Sequence, residues 1–316
     1  MKRAISAIIL FALLAVLAVP GFCDGAQTQV GALTGPTAMG MAQLLEQPEY
    51  APTIVGAADE LMPRILQGEV DIAAVPANLA ATLYNKTQGG VTVLAVNVLG
   101  VLYIGELGGE TVQSVADLKG KTLLATGKGS TPEYFLRYIL TQNGLNPDED
   151  VTIEWKIEPS EVVALLNAKG EGLAMLPQPY VTAAATQLGE DFRIALSLSE
   201  EWEKLGSDSL CTTAVVIAQT AFVQEHPEQV QAFLEALSQS VQWVNEHPDE
   251  AAEICEELGI IKAGVAKKAI PNCNLVCITG DDMKAALSGC LNVIYEQNPK
   301  AVGGSLPDGD FYYGAE

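Results

Sequence analysis

Residues 127–131 read Gly-Lys-Gly-Ser-Thr. They end a short apolar run and open a helix-like segment in LLATGKGSTPEYFLRYIL, 123–140. Glycines, a lysine and hydroxyls in that order could cradle a phosphate. The Walker A spacing requires Gly, four residues, then Gly-Lys followed by Ser or Thr. The first glycine position holds Thr122, and Gly129 follows Lys128. The pattern fails at both ends, which argues against a nucleotide loop. What remains is helix-start chemistry. Ser130 suits an N-cap, Pro132 the first turn, and Glu133 the third position of a capping box. Such an end is either a well-capped helix or a set of N–H groups turned toward a ligand.

The other reactive side chains point to structure rather than catalysis. The chain has two histidines, His226 and His247. Both sit in Glu-His-Pro, at the heads of QEHPEQVQAFLEAL and NEHPDEAAEICEEL. Proline followed by early acids marks a helix start. Neither histidine has Asp, Cys or His at ligand spacing, so no metal or catalytic pair is expected. Beyond Cys23 lie Cys211, Cys255, Cys273, Cys277 and Cys290. Cys273 and Cys277 form CxxxC, neither a zinc knuckle nor a redox CxxC. Buried apolar thiols are the expectation, with one disulfide open in an oxidising compartment and the pairing undetermined. No cofactor or metal is implied, and no Ser/His/Asp or Cys/His arrangement appears.

The elements that must position these residues alternate. Strands are expected at 30–33, 53–57, 70–75 and 91–96, with helices at 38–46, 60–67 and 78–85 between them. The series restarts with strands at 101–104, 121–125, 151–155 and 173–176 and helices at 159–167 and 180–188. DIAAVPANLAATL in the first half parallels GLAMLPQPYVTAA in the second: a short strand stopped by proline, then a helix. A further strand follows at 212–218, and then the two helices headed by Glu-His-Pro. Alternation of this kind implies two similar α/β lobes with mostly parallel sheets.

The chain starts Met1-Lys2-Arg3 and runs apolar from 4 to 19, broken only by Ser6, before Pro20-Gly21 and small residues. This is the pattern of a signal peptide, expected to cover 1–25. Phe22 precedes Cys23 where lipoprotein signals want a small residue. The expectation is therefore a free mature protein starting between Asp24 and Gln27, with a lipid anchor at Cys23 as the alternative. No later stretch reaches about 18 apolar residues. Without Lys2 and Arg3, 15 basic residues face 39 acidic ones, a net −24. That balance argues against nucleic acid or an anionic membrane as partner.

Three stretches carry a family resemblance: LQGEVDIAAVPANLAATL, SVADLKGKTLLATGKGSTPEYFLRYILTQNGLNPDEDV and VVIAQTAFVQEHPEQVQAFLEAL. Their order and spacing resemble the substrate-binding proteins of ABC importers, in the branch serving sulfonates, nitrate and thiamine-precursor pyrimidines. The resemblance covers 27–300. It implies the type II periplasmic-binding-protein fold, a monomer with two lobes joined by a two-strand hinge near 98–101 and 208–212. Lobe 1 would be 27–98 plus 210–316, and lobe 2 would be 99–209. A small polar or anionic solute would lie between them, beyond the carboxyl ends of the strands. Thr34, Gly35, Pro36 and Thr37 of lobe 1 would oppose Gly129, Ser130 and Thr131 of lobe 2. Pro76 and Asn78 would form another contact loop, with Gln178 and Tyr180 opposite. Family members often carry Glu where this chain has Gln178, which weakens the case for a cationic ligand.

The resemblance implies an extracytoplasmic protein that delivers solute to a permease with a cytoplasmic ATPase, and that is not an enzyme. Two alternatives stay open. One is an enzyme on the same fold, of the kind found in pyrimidine or menaquinone biosynthesis. The other is a sensor that binds without transport.

Overall fold

The computed structural model describes residues 27–206 and 209–315. The expected leader at 1–25, Cys23 and the start of the mature chain lie outside the described residues, as does part of the second crossing near 208.

The chain first builds one sheet. β1 (Thr28–Leu33), α1 (Pro36–Met39), α2 (Ala42–Leu45), β2 (Tyr50–Val55), α3 (Ala58–Leu66), β3 (Ile72–Pro76), α4 (Ala77–Thr87) and β4 (Val91–Leu99) follow in order. It then crosses and builds a second sheet from β5 (Leu102–Leu107), β6 (Thr122–Thr126), α5 (Thr131–Gln142), β7 (Thr152–Lys156), α6 (Pro159–Lys169), β8 (Gly172–Pro177), α7 (Tyr180–Leu188), β9 (Phe192–Ser197) and α8 (Leu198–Glu203). The return adds β10 (Thr212–Gln219), α9 (Thr220–Glu225), α10 (Pro227–Glu246), α11 (Pro248–Glu257), α12 (Ala263–Ala269), β11 (Leu275–Ile278) and α13 (Gly280–Gln297).

The sheet orders are β11-β4-β10-β3-β1-β2 and β7-β6-β8-β5-β9. Apart from edge strand β11, the two match strand for strand. β1, β2 and β3 pair in parallel, as do β6, β7 and β8. The strands that enter after each crossing, β5 and β10, pair antiparallel with both neighbours. Each sheet is therefore mixed, and every strand of the second except β5 runs the same way. The restart read from the sequence is this repeated order.

Residues alternate between two faces along each strand, as the pleat requires. Val30, Ala32, Ile72 and Ala74 pack under α2 and α10, while Ala73 and Val75 face the opposite core. That opposite core does not stop at the first sheet. It continues through Leu123, Ala125, Phe135, Met175 and Trp202 of the second. The far face of the second sheet has its own small cluster around Leu124, Leu166 and Leu176. Gly31 is a packing requirement, since a Cβ there would sit 2.7 Å from Leu61 Cδ1.

The structure differs from the sequence reading at several elements. The helix expected at 38–46 is two short helices broken at Gly40 and Met41. The polar stretch before Asp117 holds a 3-10 turn, Val115–Leu118, closed by a capping box between Ser114 and Asp117. β9, α8, α9, α12, β11 and α13 were not anticipated. All five described cysteines are free thiols, so the disulfide left open by the sequence is absent among them. Among the described residues no helix is long and apolar enough to cross a membrane.

Candidate functional site

The carboxyl ends of β1, β3, β6 and β8 meet along the seam between the two sheets. Four loops converge there, and each owes its shape to the residue that stops the strand. Gly35 takes φ 91° and turns the chain out of β1 into α1, a conformation glycine adopts without a Cβ penalty. Pro76 and Pro177 are the last residues of β3 and β8. Gly127 and Gly129, at φ 85° and 76°, carry β6 into α5.

Direct contacts cross the seam. Thr131 Oγ1, buried at the first position of α5, donates to Asn78 Oδ1 at 2.9 Å, and Asn78 Nδ2 donates to Ala301 O at 3.3 Å. Asn78 thus ties the first residues of α4 to both the start of α5 and the C-terminal segment. A Cβ on Gly35 would lie 3.9 Å from Pro179 Cδ, so these loops run close together. Farther along, Tyr103 Oη donates to Asn272 O at 2.9 Å. Gln297 Nε2 and Asn298 Nδ2, at the end of α13, donate to the carbonyl and hydroxyl of Tyr134 in α5.

The expected site residues divide by exposure and by the use of their polar atoms. Gly35, Thr131 and Gln178 are buried, Pro36, Thr37, Pro76, Asn78 and Ser130 are half-buried, and Thr34, Gly129 and Tyr180 are exposed. Thr37 Oγ1 donates to Leu33 O at 2.6 Å. Ser130 Oγ donates to Gly127 O at 2.7 Å. The capping box expected at Ser130 and Glu133 does not form. Glu133 Oε2 instead accepts from Gly129 N at 2.6 Å, because the Gly127–Gly129 turn brings that N–H closer to the carboxylate than the cap's own. Gly129 lines a groove with Lys128, Glu133, Arg137 and Asp148, which also takes in Tyr134, Gln297 and Asn298.

Gln178 is the most distinctive of these. Its side chain is 2% exposed, its backbone N–H is held by Val101 O, and its Oε1 accepts from Thr182 Oγ1 at 2.8 Å. Its Nε2 has no partner. Among the described residues, three beyond the sequence reading also carry a buried side-chain atom without a partner, Asn97, Ser199 and Thr213, and of these Asn97 is the most buried. Asn97 on β4 is 1% exposed, donates through Nδ2 to Thr37 O at 3.0 Å, and leaves Oδ1 without a partner. The signal was present in VTVLAVNVLG, where a lone asparagine interrupts an apolar strand. A buried amide atom without a partner costs stability, so such atoms are informative.

The reactive groups lie elsewhere or are held inert. His226 and His247 flank the 20-residue α10, placing them about 30 Å apart along its axis. Phe222 and Trp243 lie against their rings. Burial pushes the Cys255, Cys273 and Cys290 thiols up to about 12 and Cys277 to about 11. Burial also raises Cys211. None is a thiolate near neutral pH, and the thiolate is the nucleophile. Among the described residues no cluster of His, Cys, Asp or Glu could hold a metal ion.

Two mixed α/β sheets joined by two crossings, with loops meeting at their carboxyl ends, define the two-lobed type II periplasmic-binding-protein fold. The chain belongs to the NMT1-like family, which it matches over residues 54–259. A crystal structure of an ABC transporter from Parabacteroides distasonis superposes with a TM-score of 0.77 at 26% identity, covering 91% of this chain and 99% of that one. The periplasmic aliphatic sulphonate binding protein of Escherichia coli shares the fold, with a TM-score of 0.70 at 17% identity over 90% of this chain and 95% of that one. A nitrate/nitrite binding protein of Nostoc sp. is 25% identical over 149 residues, 46% of this chain. The match spans only 32% of that longer relative.

Proposed function

We propose that this protein is the solute-binding component of an ABC importer, taking a small polar solute into the seam between its sheets. The observation that carries the reading is the meeting of four strand-end loops around a buried, half-paired Gln178 amide, bridged by Asn78 and Thr131. Membership of the NMT1-like family supports it, as do relatives named for binding nitrate and sulphonates. The lobes would be 27–98 plus 210–316 and 99–209, and solute capture would draw them together as hinged binding domains do. The solute would then pass to a permease driven by a cytoplasmic ATPase. The protein would work outside the cytoplasm, exported by the leader at 1–25. A binding role without catalysis fits thiols held protonated and histidines far apart.

Native mass spectrometry of the purified mature protein tests the reading. A small molecule that co-purifies and leaves on unfolding is expected. Its absence, together with no stabilisation by any member of a broad solute panel, would overturn solute binding. Chemical turnover of a bound molecule would replace it with the enzyme reading.

A further inference from the structure

We infer that the solute must donate a hydrogen bond to Asn97, and that the site takes an uncharged amide-like group in preference to an acceptor-only anion such as nitrate or a sulfonate. The inference rests on the proposed solute-binding reading and concerns which chemical class that site admits.

Asn97 has a fixed orientation. Its Nδ2 donates to Thr37 O, and a carbonyl can only accept, so the reversed amide would set two oxygens against each other. Oδ1 is therefore an acceptor directed away from Thr37, with no partner, on a side chain 1% exposed. Gln178, from the other sheet, offers the complementary atom, an unpaired Nε2 on a side chain 2% exposed. Both flank the Gly35 loop. Asn97 holds Thr37, two residues after Gly35, and Pro179, next to Gln178, lies 3.9 Å from where a Cβ on Gly35 would be. One acceptor and one donor from opposite sides of the seam match a group that carries N–H beside C=O. Amides, ureides, lactams and N–H heterocycles have that edge.

The start of α5 offers an anion fewer donors than a free helix end would. Several donors there are already committed, although among the described residues the Thr131 N–H has no backbone acceptor. Gly129 N is taken by Glu133, and Ser130 N and Oγ both by Gly127 O. Pro132 has no N–H to give. The only cation on that loop, Lys128, is exposed and lines the groove that holds Tyr134, Gln297 and Asn298. An acceptor-only anion would bring negative oxygens against Asn97 Oδ1 without a cation to offset them. Buried polar groups left unpaired are the means by which a site rejects an analogue lacking the matching group.

Matched probes separate the two classes: urea against nitrate, and methanesulfonamide against methanesulfonate. Each is titrated into the mature protein at constant ionic strength and followed by saturation-transfer NMR. The neutral donor-bearing member of each pair should bind about tenfold or more tightly, and Asn97→Ala should bring that ratio close to one. If Asn97→Ala does not fold, Asn97→Leu, which keeps the branched shape and removes the acceptor, should narrow the ratio in the same direction. Nitrate or methanesulfonate binding as well as its partner would overturn the inference and leave solute binding standing. So would a ratio untouched by the variant. Binding by none of the probes, with no co-purified molecule in native mass spectrometry, would overturn both.

Discussion

A hydroxyl and an amide, Thr131 Oγ1 and Asn78 Oδ1, make a side-chain contact between the start of α5 and α4. Thr131→Val keeps the shape of the buried side chain and removes the donor. It should cost about 0.5–1.5 kcal/mol. A double-mutant cycle with Asn78→Ala should show that the two losses do not add, which additive urea-melt energies would contradict. Glu106 poses a different residue-scale question. Burial pushes its carboxyl up, but hydrogen bonds from the Thr111 hydroxyl and N–H, Arg193 and the Val112 N–H outweigh this and hold it below the usual range. A depressed folded value stabilises the protein fully above the unfolded carboxylate value of about 4.3 and is lost as pH falls through the folded value. Glu106→Gln turns an amide against those donors and should cost about 1.5–3 kcal/mol at neutral pH. The gap between wild type and variant should shrink in urea melts taken at about pH 3. An equal gap at both pH values would place the cost in packing rather than charge.

At the scale of elements, the crossing from β4 to β5 depends on Gly100. A Cβ there would overlap Ser199 Oγ and lie 2.9 Å from Cys211 Sγ, so the first crossing packs directly on α8 and on the second crossing. Gly100→Ala should destabilise by about 1–3 kcal/mol through overpacking, seen as a lower urea midpoint with an unchanged slope. A neutral result would mean that α8 can shift freely. Elements with a strong period or a hard stop were legible in the sequence. α7 falls at the expected 180–188, and β3 and β8 end at their prolines. β9, FRIALS, was missed because its alternation is weak and its edge position leaves Ile194 exposed. The loops of the candidate site were legible in the prolines and glycines that stop strands. The side-chain partners were not legible. Local spacing makes Ser130 and Glu133 look like a box, yet each found a nearer backbone partner once Gly127 and Gly129 turned the chain. Asn97 was hidden because its importance lies in an atom without a partner, which only tertiary packing reveals.

For the whole molecule, the question is which contacts yield when a solute enters. The two sheets share a continuous apolar core through α5, α8 and α13, and the Tyr134 bonds to Gln297 and Asn298 lie beside it. Opening there would expose apolar surface, at about 25 cal/mol per Å². The Asn78–Thr131 contact is cheaper to part, being a neutral hydrogen bond worth about 1 kcal/mol. Motion should therefore pivot on the core side and open on the loop side, the two crossing segments taking up the change in angle. Small-angle scattering should record a larger radius of gyration without solute than with it. Thr131→Val should shift the unliganded protein further toward the open form, because it removes a contact that only the closed form makes. A radius unchanged by saturating solute, and equally unchanged by Thr131→Val, would show that the shared core holds the sheets rigid and that solutes reach the seam by loop motion alone.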